Sequence, residues 1–307
     1  MGFEHIIGQD LLIRALKRSL ARKEINHANL FSGPPGSGKR TLALLFAQAL
    51  NCAHPNPPCG LCLSCRKTIS GNHPNLFQIE PQGASIKIEQ LRELKEKLSY
   101  LPTEGTKKIC IIYGADLLTL PAGNSILKIL EEPPEDVVFL LLSARPWVLL
   151  QTILSRCTHF LLKPLSDEDM LALLQTKANL SPAKQELLIS LAGGNPGKAL
   201  AMLSQEGWQE KLAEAHELLG RAENSAIGEL FPLAEELSQR DDLQEIVATF
   251  LLVYRQKLHH LLSKGGNGSF GLERACRALF KLQEELFGTV NRRLALEVFF
   301  LKMRGVV

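Results

Sequence analysis

Gly33-Pro34-Pro35-Gly36-Ser37-Gly38-Lys39-Arg40-Thr41 is the stretch on which the reading of this chain turns. It fits the first seven places of the phosphate-binding loop G-x-x-x-x-G-K-[ST], in which glycines let backbone N–H groups curl around a phosphate and the lysine reaches the outer phosphates. The eighth place departs. Arg40 stands where a Ser or Thr hydroxyl holds Mg²⁺, and the hydroxyl of Thr41 lies one residue on, turned by about 100° around a 3.6-residue helix. Gly33, Pro34, Gly36, Ser37, Gly38, Lys39 and Thr41 are therefore expected to cradle the phosphates of ATP or ADP weakly, with poor handling of the metal. Ala28 to Phe31 reads as a strand before the loop and Thr41 to Leu50 as a helix after it, the setting the motif needs. A plain Gly/Pro turn is the alternative.

Outward from the loop, residues 10 to 23 place Leu11, Leu12, Ala15, Leu16 and Leu20 at helical spacing, with Arg14, Lys17 and Arg18 opposite. Leu76 to Ile79, Ile109 to Tyr113, Val137 to Leu142 and Phe160 to Leu162 read as strands, and 88 to 100, 121 to 131 and 147 to 154 as helices. Short, almost continuously apolar strands separated by helices predict a parallel sheet covered on both faces, an α/β domain over 1–162. Pro164 then breaks the pattern. Ser166 and Asp169 form a capping signal, Ser181-Pro182 begins another helix, and 163–206 reads as a small helical domain. From 207 to 307 the apolar spacing stays helical, interrupted by the Gly265 to Ser269 connection, with His259-His260 read as a solvated helix end.

The chain has 307 residues, 45% of them hydrophobic and 22% charged, and 35 basic against 32 acidic side chains leave a net charge of +3. That mixture is ordinary globular material and gives no strong footprint for nucleic acid by itself. Residues 1 to 5 lack the order of a signal peptide, Ile6 occupies the place a myristoylation motif gives to Ser or Thr, and the run from Val137 is stopped by Arg145 and Pro146. A cytoplasmic protein is expected.

Cys52, Cys59, Cys62 and Cys65 fall within fourteen residues directly after the loop helix. Such spacing closes a tetrahedral sulfur shell, and in a reducing compartment it argues for metal over disulfides. Four thiolates leave no open position, so a structural Zn²⁺ is expected, with an Fe–S cluster or a redox dithiol as rivals and His54 as a substitute ligand. Cys110 and Cys276 sit in apolar runs and are expected in the core.

A working loop ATPase carries an acidic residue at the end of a later strand, holding Mg²⁺ and orienting water. Here Ile109-Cys110-Ile111-Ile112 runs into Tyr113-Gly114-Ala115-Asp116, so Tyr and Gly fill the two acidic places. Asp116 lies too far past the strand end to substitute, and is read as capping or starting the next helix.

Together with these stretches, Phe3 to Asp10, Asn124-Ser125-Ile126-Leu127-Lys128-Ile129-Leu130-Glu131-Glu132-Pro133-Pro134 and Thr152-Ile153-Leu154-Ser155-Arg156-Cys157 resemble the clamp-loader branch of the AAA+ ATPases over residues 3 to about 200. The resemblance implies a RecA-like domain over 1–162 with a zinc module near 52–65, a three-helix lid over 163–206 and a helical, ring-forming collar over 207–307. It makes Arg156 an arginine finger acting on ATP in the adjacent subunit, puts a phosphate-sensing residue at Ser143, and gives Lys198 an approximate match to a sensing arginine. The damaged loop is similar to that of a non-motor member. Its implied partners are the gamma/tau motor subunits and delta and, through the complex, the sliding clamp and primer–template DNA, with no membrane. An active gamma/tau-type ATPase and a freestanding zinc-dependent nucleic-acid binder are the rival readings.

Overall fold

The computed structural model describes residues 2–98, 107–134, 136–204, 207–263, 270–286 and 291–306. Its sheet holds β1 (Ala28–Ser32), β2 (Leu76–Ile79), β3 (Lys108–Ile112), β4 (Val137–Ser143) and β5 (Thr158–Leu161). All pairings are parallel, in the order β2-β3-β4-β1-β5. β1, β3 and β4 are buried along their whole length, which is why they read as unbroken apolar runs, whereas the edge strands β2 and β5 are only partly covered. Successive side chains leave a strand on opposite faces. Phe31, Ile111, Leu140 and Leu142 accordingly pack into one layer with Leu16, Leu42 and Phe46. Leu30, Cys110, Ile112, Phe139 and Leu141 pack into the other with Leu91, Leu94, Ile126 and Ile129.

The helices covering this sheet are α1 (Asp10–Arg22), α2 (Lys39–Leu50), on which α3 (Leu63–Ile69) packs, α4 (Ile88–Leu98), α5 (Leu120–Glu131) and α6 (Gln151–Leu154), followed by α7 (Asp167–Lys177). α7 is capped as its sequence indicates, Ser166 Oγ accepting from the Asp169 amide at 3.1 Å. Beyond it run α8 (Pro182–Ala192), α9 (Pro196–Ser204), α10 (Trp208–Asn224), α11 (Leu230–Ser238), α12 (Leu243–Ser263), α13 (Phe270–Leu286) and α14 (Arg292–Arg304). By packing the chain divides into two units, residues 1–178 with 194–198, and residues 179–193 with 199–307. The second unit is helical among the described residues, around Phe250, Tyr254, Leu279, Leu296, Phe299 and Phe300. Tyr254 donates to Glu223, which also pairs with Lys257 at 2.6 Å.

Three local expectations are corrected. The stretch 147–154 is not one helix: a 3-10 turn at Pro146–Val148 gives way to extended Leu149 and Leu150 before α6, and this turns Leu149 and Ile153 into the core. The buried face of α1 carries Leu12, Ile13 and Leu16, while Leu11 is 74% exposed and Ala15 also faces out. Cys110 is buried as expected, but Cys276 is only partly covered. The Gly265 to Ser269 connection and the side chains of His259 and His260 lie outside the described residues.

Leu140 lies on the central strand with no exposure. Leu140→Ala should lower unfolding stability by about 2–5 kcal/mol through lost transfer energy and the cavity left behind, read as a fall in the urea midpoint at unchanged slope.

Candidate functional site

β1 ends at Ser32 and the chain enters the phosphate loop, which hands over to α2 at Gly38. Gly36 and Gly38 have φ of 79° and 92°, the left-handed region that glycine enters without strain. Lys39 Nζ donates to the carbonyls of Gly33 at 2.7 Å and Pro34 at 2.8 Å, so the lysine closes the loop on itself. Burial lowers the pKa of its ammonium, and the negative charge of Asp116 opposes that shift. Ser37 is buried, and its Oγ has no hydrogen-bond partner among the described residues. Thr41 is exposed on the first turn of α2.

Arg40 and Tyr113, the two side chains that replace expected metal ligands, meet each other. The Arg40 guanidinium lies over the Tyr113 ring, 4.2 Å from its centroid, and forms an ion pair with Glu80. Tyr113 Oη in turn donates to Gln78 Oε1 at 2.7 Å. Burial raises the Tyr113 pKa, with the Arg40 charge opposing, so the ring stays a neutral phenol. Gly114 sits at φ 65°, where an acidic side chain would be strained. A hard divalent ion needs oxygen ligands in near-octahedral array. A guanidinium on an aromatic face does not fit that ion.

Asp116 is committed elsewhere. Its Oδ1 accepts from Ser143 Oγ at 3.0 Å and from the Ala144 amide at 3.1 Å, and its Oδ2 from Arg145 Nε at 3.2 Å. Burial opposes ionisation, yet these three donors hold the carboxyl below the usual range. Asp116 thus lies at the start of the 3-10 turn Ala115–Leu117, as its sequence position indicates, while its carboxylate clasps the tip of β4. Ser143 is part of the clasp, and its carbonyl accepts the Gly33 amide at 3.2 Å, linking it to the phosphate loop.

The loop 193–198 also reaches the phosphate loop. Asn195 Nδ2 donates to the Pro35 carbonyl at 2.7 Å, and the Gly197 amide to the Gly36 carbonyl at 2.9 Å. The Lys198 amide donates to Asn195 Oδ1 at 3.0 Å, fixing the asparagine. A Cβ on Gly197 would lie 2.6 Å from the Gly36 Cα, so this approach needs glycine.

The four cysteines converge. Every pair of sulfurs lies within 4.8 Å, with Cys59 to Cys65 and Cys52 to Cys62 both 4.0 Å apart. Four thiolates around one ion with bonds of about 2.3 Å stand about 3.8 Å apart, so the set fits a metal. Backbone amides of Cys59, Cys62 and Cys65 point at the sulfurs of Cys52, Cys59 and Cys62 at 3.3–3.5 Å. The amides of Cys62 and Leu61 hold the Cys59 thiol down at about 6, while burial pushes Cys52 and Cys65 up. Asn51 ties the start of this knuckle to β3 by two bonds to the Lys107 backbone. His54 is not in the sulfur cluster, and its Nδ1 accepts the Asn56 amide at 3.3 Å.

Arg156 follows α6. Its Nη2 pairs with Glu131 at 2.8 Å and its Nη1 donates to the Thr152 carbonyl at 2.9 Å, so two motifs singled out from sequence meet in one ion pair. Sequence reading missed Glu80, Gln78, Arg145 and Asn195. The one available signal was that Arg40 and Tyr113 depart at two positions that would share a single ion.

The family described as DNA polymerase III, delta subunit, matches residues 8–166. The chain is 33% identical over 261 residues to DNA polymerase III subunit delta' of Bacillus subtilis, covering 81% of this chain and 77% of that one. It is 39% identical over 207 residues to subunit tau/gamma of Haemophilus influenzae, 66% of this chain and 30% of that protein. With subunit tau of Bacillus subtilis it shares 27% over 308 residues, 92% of this chain but 54% of the relative, so the chain spans about half that protein's length. A gamma subunit-related protein from Thermotoga maritima superposes with a TM-score of 0.53 at 21% identity, covering 95% of this chain and 98% of the other. The fold is that of a RecA-like AAA+ domain joined to a helical region.

Gly197→Ala should cost about 1–3 kcal/mol, because the clash is with backbone that cannot swing aside. The expected readout is a lower melting temperature together with faster amide exchange across residues 193–198.

Proposed function

Since the chain belongs to the DNA polymerase III delta-subunit family of clamp-loader AAA+ proteins, we propose that it is the non-motor, delta-prime-type subunit of a bacterial clamp loader. In this reading residues 163–206 form the lid, residues 207–307 form the collar that holds the ring, and gamma/tau motor subunits and delta are its neighbours. The assembled ring would load a sliding clamp onto primer–template DNA at the replisome. The observation that carries the reading is the Arg40–Tyr113 contact, which puts a guanidinium and a phenol where a loop ATPase keeps a hydroxyl and a carboxylate. The 39% identity to a tau/gamma protein favours the motor alternative. The chemistry of these two positions outweighs it, because identity over a shared scaffold does not supply a missing metal ligand.

The chain's part in catalysis is then Arg156, offered to ATP bound by the adjacent subunit. Its pairing with Glu131 is half-exposed, and such pairs are worth about 0–1 kcal/mol. A trans-acting arginine contributes about 10³–10⁵ in rate, roughly 4–7 kcal/mol of transition-state stabilisation, so leaving Glu131 is favourable as charge develops on the transferring phosphoryl group. Glu131 holds the guanidinium at the subunit's edge until a neighbour's nucleotide takes over.

The cysteine knuckle is read as a structural zinc site in the same subunit, closed by Cys52, Cys59, Cys62 and Cys65 and lacking an open position for chemistry. One equivalent of zinc is expected in the reduced, folded chain purified without a histidine tag. Cys65→Ser should reduce it below about half an equivalent and lower thermal stability. A disulfide between any two of the four would overturn this assignment.

The whole reading is tested by turnover. The isolated chain should hydrolyse ATP no faster than background, and steady hydrolysis abolished by Lys39→Ala would favour the motor alternative. Rings reconstituted with Arg156→Ala should have the mass of the wild-type ring but lower DNA-stimulated ATPase and clamp loading. Arg156→Lys should rescue poorly, because a point charge does not reproduce the planar two-pronged contact. Equal turnover by wild-type and Arg156→Ala rings at saturating DNA would leave the subunit as a scaffold only.

A further inference from the structure

The residues around Arg40 answer a question that lack of hydrolysis leaves open, namely what the phosphate loop binds. Three observations bear on it. The loop keeps Lys39, whose ammonium is bonded only to the loop's own Gly33 and Pro34 carbonyls, and a buried Ser37 hydroxyl without a partner among the described residues. The residue at the motif's metal-holding position is Arg40, and its guanidinium lies on Tyr113, 4.2 Å from the ring centroid, with Tyr113 fixed by Gln78. Neither nearby carboxylate is free to ligate a cation, since Asp116 is held by Ser143, Ala144 and Arg145, and Glu80 is paired with Arg40.

We propose that this phosphate loop takes a nucleoside di- or triphosphate without Mg²⁺, Arg40 supplying in place of the ion a fixed positive charge from the protein itself. The proposal rests on reading the chain as a non-motor subunit, and it adds the form of the ligand.

The physical argument is one of charge and geometry. A planar guanidinium presents paired N–H donors that match two phosphate oxygens, and it stays charged at any working pH. Stacking on Tyr113 restricts its rotamers, so little freedom remains to be lost when phosphate arrives. The competing bond to Glu80 is exposed on both sides, at 61% and 52% of the side chains, and exchanges readily for a more highly charged acceptor. Metal-free polyphosphate carries more negative charge than its Mg²⁺ complex, and Lys39 and Arg40 stand side by side at the start of α2, whose N-terminus also favours an anion. Adding Mg²⁺ sets a second cation against the guanidinium.

The test is titration of the full chain with a fluorescent ATP analogue, with unlabelled ATP as competitor, in excess EDTA and again in millimolar Mg²⁺. Wild type should bind in EDTA, with Mg²⁺ leaving affinity unchanged within about threefold or weakening it. Arg40→Thr should lose about tenfold or more in EDTA, the scale of one charge-assisted bond, and should become tighter when Mg²⁺ is added. Arg40→Lys should fall between, and Tyr113→Phe, which keeps the aromatic face, should resemble wild type. Arg40 is exposed, so circular dichroism of its variants should match wild type. Tightening of wild type by Mg²⁺ of more than about tenfold, no binding in EDTA, or equal EDTA affinities for wild type and Arg40→Thr would each overturn the proposal. None of these outcomes touches the Arg156 comparison in reconstituted rings, so the subunit assignment stands or falls separately.

Discussion

Arg40 directly follows Lys39 in the first turn of α2, and its guanidinium settles on the face of Tyr113 at the end of β3. That contact depends on the sheet order, because β3 must lie two strands from β1, through β4, for the two positions to face each other. An intact loop ATPase joins the same two positions through an ion. Here they are joined by a cation–π contact of about 0.5–2 kcal/mol. The scaffold is kept while the chemistry changes, and each replacement makes sense only because of the other. A hydroxyl at 40 beside a phenol at 113 would leave a half-built metal site.

The surroundings reinforce this arrangement. Asp116, the acidic residue nearest the strand end, has its oxygens taken by donors from Ser143, Ala144 and Arg145, and so fastens β4 to the turn after β3. Asn195 and Gly197 bond to the carbonyls of Pro35 and Gly36 in the phosphate loop. A loop bonded from several sides is stiff. Stiffness here comes from main-chain contacts that glycine permits, not from added side-chain packing.

Glu131 and Arg156 show a comparable economy at the edge of the sheet unit. A weak, half-exposed ion pair positions the arginine without holding it tightly. The knuckle, by contrast, sits in the connection between α2 and β2, with Asn51 stitching its root to β3. Its sulfurs lie at tetrahedral spacing, so the local fold already has the shape that a closed thiolate site requires.

Much of this was legible along the chain, for local reasons. Periodicity gave β1, β3 and β4, since strands buried on both faces must be apolar throughout; a glycine-rich loop between strand and helix has few other uses; and Cys59, Cys62 and Cys65 are too closely spaced to be unrelated. The helix read over 147–154 failed because Leu149 leaves helical geometry to enter the core, a choice set by neighbouring layers and not by its own propensity. The buried face of α1 was misjudged for the same reason, Ile13 turning inward while Leu11 and Ala15 face out, whereas Arg14, Lys17 and Arg18 are exposed as read. Linear reading marked Arg40 and Tyr113 only as two losses. Their union, the Asp116 clasp, the Glu131–Arg156 pair and the Gly36–Gly197 approach join residues tens to more than a hundred positions apart. Sequence alone determined which side chains were available; which of them met was decided by the sheet order and by glycine backbones that approach where a Cβ would collide.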